Sequence, residues 1–223
     1  MANVIAPPAR KTRVTYKLAD GTQVPGVTTV LGVMAKPELM RWQNKMGLQG
    51  IDTTVYVDGL AQIGTLVHYL VECDINGSTP DTRAFSMDQL NQAEKCFQSW
   101  KNWRKGKTVE PILQEASFVS EAHRYGGTID QYIRVDGVST LLDIKTAKGI
   151  YDEMVFQVVA YDHLMKENGH QPEEAKILRI GRSDDETFEE KPIDTTGIKY
   201  RLQWDLFLRC LDVYNLQKLL RKA

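Results

Sequence analysis

The chain has 223 residues, of which 42% are hydrophobic and 26% are charged; this composition is typical of a folded domain and excludes a disordered tail or a fibre. Its 28 lysines and arginines nearly balance its 29 aspartates and glutamates, so the net charge is -1. A bulk positive field that would attract nucleic acid is therefore excluded, and any contact with a polynucleotide has to be local.

The cysteines and the start of the chain indicate a reducing compartment. Cys73, Cys96 and Cys210 are far apart and odd in number, which fits neither a disulfide framework nor a four-thiolate zinc or iron–sulfur site. The first residues lack the apolar core of a signal peptide, and no stretch approaches the ~18 apolar residues of a membrane span. We therefore expect a cytoplasmic protein with reduced thiols, no iron–sulfur cluster and no membrane partner.

The first half of the chain is predicted to be mainly helical. Residues 1–12, which include two adjacent prolines, indicate a flexible lead-in to a single domain of residues 13–223. A short strand at 13–17 and an Asp-Gly turn open this domain. Apolar residues then recur with helical spacing over 28–34, 37–47, 57–73 and 87–104. Residues 13–110 are therefore expected to form the helical part.

From about residue 111 the pattern changes to short β-branched runs. These runs predict strands at 112–119, 128–135, 138–146, 175–181 and 187–192. Helical spacing predicts one helix at 151–168 and a long final helix at 197–221. Residues 111–223 are thus expected to form a small sheet with flanking helices, so that the fold class is α/β with an N-terminal helical region.

One hairpin places polar side chains of chemical interest next to each other. Asp136-Gly137 between two β-like runs is a strong signal for a two-residue turn. The register that follows puts Asp130 directly across from Asp143, with Lys145 on the same face. The opposite face is predicted to be apolar and to carry Ile129, Ile133, Val135, Leu142 and Ile144.

Two opposed carboxylates repel each other unless a cation or a shared proton relieves the repulsion. A hard divalent ion such as Mg²⁺ or Mn²⁺ binds oxygen ligands, so the pair predicts a metal site. The alternative is that these are ordinary solvent-facing charges, with Lys145 partly offsetting the two acids.

Three motifs, at residues 64–68, 130–145 and 157–161, resemble those of the PD-(D/E)xK nuclease superfamily in type and in order along the chain. Asp130, Asp143 and Lys145 match its two acids and lysine, although Ile129 stands where the motif has proline. Residues 64–68, Gly-Thr-Leu-Val-His, are similar to the Gly-Thr-x-x-His motif of its RecB-like and phage-type exonuclease branch. Residues 157–161, Gln-Val-Val-Ala-Tyr, are similar to the Gln-x-x-x-Tyr motif of that branch. Together the three motifs are far more specific than any one of them.

The resemblance implies a restriction-endonuclease-like core and a metal-dependent DNA exonuclease. It implies that His68, Asp130, Asp143 and the backbone carbonyl of Ile144 bind Mg²⁺ or Mn²⁺. It further implies that Lys145 positions the water that attacks the phosphodiester bond. His68, Asp130, Asp143 and Lys145 are thus the expected catalytic set.

The same resemblance implies that Gln157 and Tyr161 contact DNA. The expected substrate is single- or double-stranded DNA with a free end, in a prokaryotic or phage-infected cell. A loading or recombination partner and an oligomer are also compatible with such an enzyme. Two other functions remain open, namely a non-catalytic nucleic-acid-binding or scaffold module and a structure-specific endonuclease.

Several further residues have a structural and a functional interpretation. Glu115 lies on the strand before the hairpin and can approach the metal. Glu72 follows His68 by one helical turn and can orient its ring, and the sequence does not fix the role of either acid. Trp100 and Trp103 are expected in the core because of their helical spacing. His123, His163 and His170 lie near predicted turns or helix ends and are expected at the surface.

Overall fold

The N-terminal part is helical, as predicted. The structure, a computed structural model, describes residues 14–182 and 187–222 and the backbone of Val4–Ile5. Its first elements are β1 (Val4–Ile5), β2 (Tyr16–Lys17), β3 (Gln23–Val24), α1 (Val27–Leu31), α2 (Pro37–Leu48), α3 (Thr53–Ile75), β4 (Thr79–Pro80) and α4 (Met87–Arg104). The predicted flexible lead-in falls outside the described residues, except that the backbone of Val4–Ile5 pairs with β4.

Local sequence signals explain where the two long N-terminal helices begin. Asp52 caps α3 by accepting hydrogen bonds from the backbone N–H groups of Thr54 and Val55, so this helix begins four residues before the predicted 57. Ser86 and Gln89 form a reciprocal capping box at the start of α4. The α4 boundaries agree with the predicted segment 87–104.

The second half contains the predicted small mixed sheet. Its elements are β5 (Val109–Ser120), β6 (Tyr125–Val135), β7 (Val138–Lys145), α5 (Asp152–Glu167), β8 (Glu174–Ile180), β9 (Phe188–Ile193) and α6 (Ile198–Leu220). The five strands lie in sequence order, and β7 and β8 are parallel whereas the other neighbours are antiparallel. Helix α5 makes the crossover that a parallel pair requires. The predicted α/β class is confirmed, and the arrangement is consistent with a restriction-endonuclease-like core.

Two hydrophobic clusters cover the two faces of the sheet. One contains Leu141 and Ile177 of the sheet with side chains of α1, α5 and α6. The other contains Leu142 and Ile144 with side chains of α3 and α4. Trp100 and Trp103 are 0% and 1% exposed within this second cluster, so their predicted place in the core is confirmed.

The hairpin of β6 and β7 has the predicted register from Val135–Val138 to Gln131–Leu142; a direct pairing of Asp130 with Asp143 stays a prediction. Val135 pairs with Val138, and Asp136 and Gly137 both have positive φ, of 50° and 90°, as a type I′ turn requires. The predicted apolar face is wrong at one position. Ile129 packs in the α5-side cluster together with Tyr132. Because these residues are three apart, β6 does not alternate strictly between them, and the change of face occurs beside Asp130.

The three cysteines and His163 are less exposed than surface residues. Cys73, Cys96 and Cys210 are all free and buried. His163 is not a surface residue: its ring is half-buried and stacks on Trp204, with ring centroids 3.8 Å apart. Burial lowers the pKa of His163 to about 4, so the ring is neutral at physiological pH.

No helix within the described residues is long and apolar enough to cross a membrane.

Candidate metal centre and cleft

Three side chains from three different elements converge at one edge of the sheet. His68 comes from α3, Glu115 from β5 and Asp130 from β6, and one ligand atom of each lies within 4.8 Å of the others. His68 Nδ1 is 3.5 Å from Asp130 Oδ1 and 3.7 Å from Glu115 Oε1. The packing of α3 on the sheet brings His68 to the two carboxylates. One imidazole nitrogen and two carboxylates form a suitable donor set for a divalent cation.

Glu115 is the member of this group whose position could not be predicted. It lies opposite Asp130 between the pairs Gln114–Gln131 and Ala116–Ile129. Its φ is +46°, a backbone conformation that non-glycine residues rarely adopt and that costs free energy. The register of β5 shifts between Pro111 and Leu113, and a shift of one residue reverses the side-chain alternation that a sequence argument uses.

Asp143 and Lys145 form a second group beside the first. Lys145 Nζ lies 2.7 Å from Asp143 Oδ2, and the Asp143 side chain is 0% exposed. Asp143 Oδ1 accepts no hydrogen bond from any residue that the structure describes. Among the described residues, the group of three possible ligands does not include Asp143. The contact shows that Asp143 and Lys145 share one face of β7, whereas the role of Asp143 as a metal ligand stays a prediction.

Ile144 connects the two groups through its backbone. Its N–H donates a hydrogen bond of 2.9 Å to Asp130 Oδ2, which fixes the carboxylate of Asp130 against the end of β7. Its side chain is 1% exposed and points into the cluster on the α3 side. The resemblance implies that the backbone carbonyl of Ile144 is a metal ligand, and this role stays a prediction.

The electrostatics of the second group follow from its burial. Burial raises the pKa of Asp143 to about 6; the ammonium of Lys145 opposes this increase, and the charge of Asp130 adds to it. For Lys145, burial lowers the pKa, but the charges of Asp143 and Asp130 outweigh it, so its pKa lies above the usual value. Lys145 is therefore a cation at neutral pH. Its charge does not fully offset the cost of burying the Asp143 carboxylate, whose pKa stays raised.

We expect the free energy of unfolding in the presence of chelator to fall as the pH rises from about 4 to about 7. The pKa of Asp143 is raised in the folded state, so the unfolded chain releases this proton at a lower pH. Protonated Asp143 therefore stabilises the folded state, fully at a pH below the usual pKa of an aspartate. This stabilisation is lost as the pH rises through about 6. Urea unfolding of wild type and Asp143→Asn across this range measures it. Identical pH profiles for the two proteins would contradict the assignment.

Gln157 and Tyr161 lie together on α5, as their spacing predicts. Gln157 Nε2 donates a hydrogen bond of 2.9 Å to Tyr161 Oη. The Tyr161 ring packs on Gly127, where an added Cβ would lie 2.6 Å from the ring, so this approach requires glycine. Burial, followed by the charges of Asp143 and Asp130, raises the pKa of Tyr161, so the hydroxyl stays protonated.

The three residues of the His68 group open into one cleft of about 960 Å³. His68, Glu115, Asp130, Gln157 and Tyr161 all line it, and so does Glu72, one turn beyond His68. Lys145 and Asp143 are not among the residues that line it. Part of the cleft wall comes from Tyr16, Gln23 and Val24 of the N-terminal hairpin of β2 and β3, which the sequence did not connect with the site.

Hydroxyl groups cover part of that wall. Tyr16 Oη and Thr128 Oγ1 are 3.0 Å apart, and Ser117 Oγ is 2.7 Å from the same Thr128 oxygen. The N-terminal segment reaches the sheet through the backbone of Gly126, whose N–H donates to the carbonyl of Pro25 at 2.9 Å. These hydroxyls offer hydrogen-bond donors for phosphate or sugar oxygens next to Asp130.

Comparison with other proteins finds partial similarity of fold. No protein-family model and no curated protein matches the chain. A solved structure from Eubacterium rectale named "Putative exonuclease" has a TM-score of 0.44 and 14% identity over 69% of this chain and 68% of that one. The alkaline exonuclease LHK-Exo of Laribacter hongkongensis has a TM-score of 0.34 and 15% identity over 72% and 86%.

The protein SSO0001 has a TM-score of 0.37 and 17% identity, and the match covers 58% of this chain and 60% of that one. The chain therefore spans less than two thirds of the length of SSO0001. At such identities the similarity concerns the fold, and the chemistry of this chain rests on its own residues.

Proposed function

We propose that this protein is a metal-dependent deoxyribonuclease, and specifically an exonuclease. The observation that carries the proposal is that the His68–Glu115–Asp130 group and the Asp143–Lys145 ion pair lie next to each other in the sheet. His68, Glu115 and Asp130 gather donor atoms within 4.8 Å of one another, and the Asp143–Lys145 ion pair lies on the adjacent strand. Two carboxylates and an imidazole at one cleft, with an ammonium on the adjacent strand, suit the hydrolysis of a phosphodiester bond.

The residues present fit a divalent cation. His68, Glu115 and Asp130 would hold it, and the neighbouring Asp143 carboxylate has a buried oxygen that accepts no hydrogen bond from the described residues. An imidazole among carboxylates favours Mn²⁺ over Mg²⁺, since Mg²⁺ binds almost only oxygen. When bound, such an ion lowers the pKa of water and offsets negative charge at the phosphate.

The chain's own residues supply orientation and charge. Lys145 is a cation held 2.7 Å from Asp143, and its ammonium can donate hydrogen bonds to a phosphate oxygen or to the attacking water. A fixed donor of this kind stabilises the charge that develops in the transition state, because it needs no reorganisation during the reaction. Asp130 is fixed in turn by the N–H of Ile144.

The proposed DNA substrate follows from the cleft and from the motifs. The net charge of -1 gives no long-range attraction for DNA, so binding has to come from local contacts such as Gln157, Tyr161 and the hydroxyl wall. The preference for an exonuclease rests on the resemblance at residues 64–68, 130–145 and 157–161. The binding module and the structure-specific endonuclease remain the competing functions, and the next experiment separates them.

We expect end-labelled linear DNA to be degraded with Mn²⁺ or Mg²⁺ and to be stable with chelator, while closed circular DNA persists. Lys145→Ala is expected to abolish the reaction, because it removes the ammonium at the phosphate. The measurement is gel analysis of both substrates with wild type and variant at equal protein concentration. The position of the label reports the polarity of digestion.

The other outcomes of that assay contradict parts of the proposal. Cleavage of the closed circle would favour an endonuclease. A wild type that binds DNA and cleaves neither substrate with either metal would favour the binding module. Activity of Lys145→Ala equal to that of wild type would remove Lys145 from the mechanism.

A further inference from the structure

Three cations lie together in the last turn of α6 and the two residues that follow it. Lys218, Arg221 and Lys222, here called the α6 basic face, follow Tyr214 at helical spacings of four, seven and eight residues. All three line a hollow of about 400 Å³ between α6 and α1. The helical part of this stretch, from Tyr214 to Leu220, spans about 9 Å along the helix axis. Positive charge is therefore concentrated along one short groove.

This hollow adjoins the candidate active-site cleft. Thr29, Tyr214 and Lys218 line both the cleft and the hollow. A chain molecule that occupies the cleft beside His68 and Asp130 can therefore pass Tyr214 and Lys218 into the hollow without leaving the protein surface. Tyr214 is half-buried and Lys218 is exposed, so both can contact such a molecule.

The cations of the α6 basic face are available to an anionic ligand. Within residues 14–182 and 187–222, none of the three forms an ion pair, whereas Arg209 on the same helix pairs with Asp212 at 3.0 Å. Cations near a helix C-terminus interact favourably with the helix dipole, whichever side of the helix they lie on. The dipole thus accounts for basic residues in the last turns, and it does not account for their placement on the one face that borders the cleft.

We propose that the α6 basic face binds the phosphate backbone of a single DNA strand that continues out of the cleft. Three neighbouring cations along one hollow can each meet a phosphate of the same strand, because a strand carries one negative charge per nucleotide. Tyr214, at the passage between cleft and hollow, offers a ring on which an unpaired base can stack. The inference rests on the proposed function for the identity of the strand, and it assigns a binding track beyond the reacting atoms.

The test is the salt dependence of binding in chelator, where no cleavage occurs. A fluorescently labelled single-stranded oligodeoxynucleotide is titrated with wild type and with Lys218→Ala/Arg221→Ala/Lys222→Ala over a series of salt concentrations. The slope of log K against log salt is expected to fall in magnitude by about 2, because each lost phosphate contact on a single strand removes about 0.7. Far-UV circular dichroism checks that α6 is retained.

The matched control is Lys199→Ala/Arg201→Ala/Arg209→Ala, which removes the same charge from exposed positions of α6 that line neither the cleft nor the hollow. Its slope is expected to equal that of wild type. Equal slopes for the two triple variants would overturn the inference, and so would a wild type that does not bind the oligonucleotide. A smaller slope for the Lys218→Ala/Arg221→Ala/Lys222→Ala variant, in a protein that cleaves no DNA, would support the binding track and contradict the nuclease proposal.

Discussion

Asp143→Asn is expected to reduce metal-dependent DNA cleavage at least about 10³-fold without lowering the melting temperature. Asp143 is 0% exposed and holds Lys145 at 2.7 Å, so the substitution removes a carboxylate from the centre of the proposed site. It also removes a charge that is costly to bury, since burial raises the pKa of this carboxyl to about 6. The neutral amide has nearly the same shape, and the fold should therefore tolerate it. Initial cleavage rates and thermal unfolding of the same preparations measure both effects.

Asp162→Asn is a matched control, because it also replaces a fully buried aspartate by its amide. Asp162 lies on α5, outside the cleft, and accepts hydrogen bonds from the Tyr200 hydroxyl and from Lys166 Nζ, the latter at 2.7 Å. Its replacement removes part of this buried network, so the expected loss is in stability, by about 1–3 kcal/mol. Cleavage by the folded fraction should be preserved.

The two variants thus have opposite expected effects. Asp143→Asn should be folded and inactive, and Asp162→Asn should be less stable and active. Cleavage by Asp143→Asn at a rate similar to that of wild type would show that the carboxylate has no part in the reaction. Inactivity combined with a strongly lowered melting temperature would show that the loss of activity reflects unfolding.

Local signals in the sequence were sufficient for the hairpin and for the Gln157–Tyr161 pair. Asp136-Gly137 determines the turn, and the turn determines the register of every pair up to Gln131–Leu142. The i, i+4 spacing of Gln157 and Tyr161 likewise places both side chains on one helix face, where they form a hydrogen bond. In both cases the geometry depends on residues that are close in the chain.

Long-range geometry was not predictable by the same means. The side chain of Glu115 reaches His68 only because β5 shifts register and the backbone takes a positive φ at Glu115 itself. The altered alternation of β6 places Ile129 on the α5 side. The contact of Lys218 with the same cleft as His68 depends on how α6 packs over α1. None of these features has a periodic signature in the sequence.

Ile144→Asp is expected to unfold the protein, although it adds a carboxylate right beside the proposed metal ligands. Ile144 is 1% exposed and packs in the cluster with Leu142 and Leu178. A carboxylate at this position would be buried without a partner, and the lost apolar contacts add to the cost, which we expect to exceed about 4 kcal/mol. Urea unfolding followed by circular dichroism measures the change.

Ile198→Asp is the matched control for this substitution. Ile198 is 65% exposed and is the first residue of α6, where a carboxylate interacts favourably with the helix dipole. Its free energy of unfolding should therefore change by no more than about 0.5 kcal/mol. A cooperative, wild-type-like transition for Ile144→Asp would mean that the side chain does not lie in the core. The alternation Asp143, Ile144, Lys145, which places two charged groups on one side of β7 and an apolar anchor on the other, would then fail as the basis of the site.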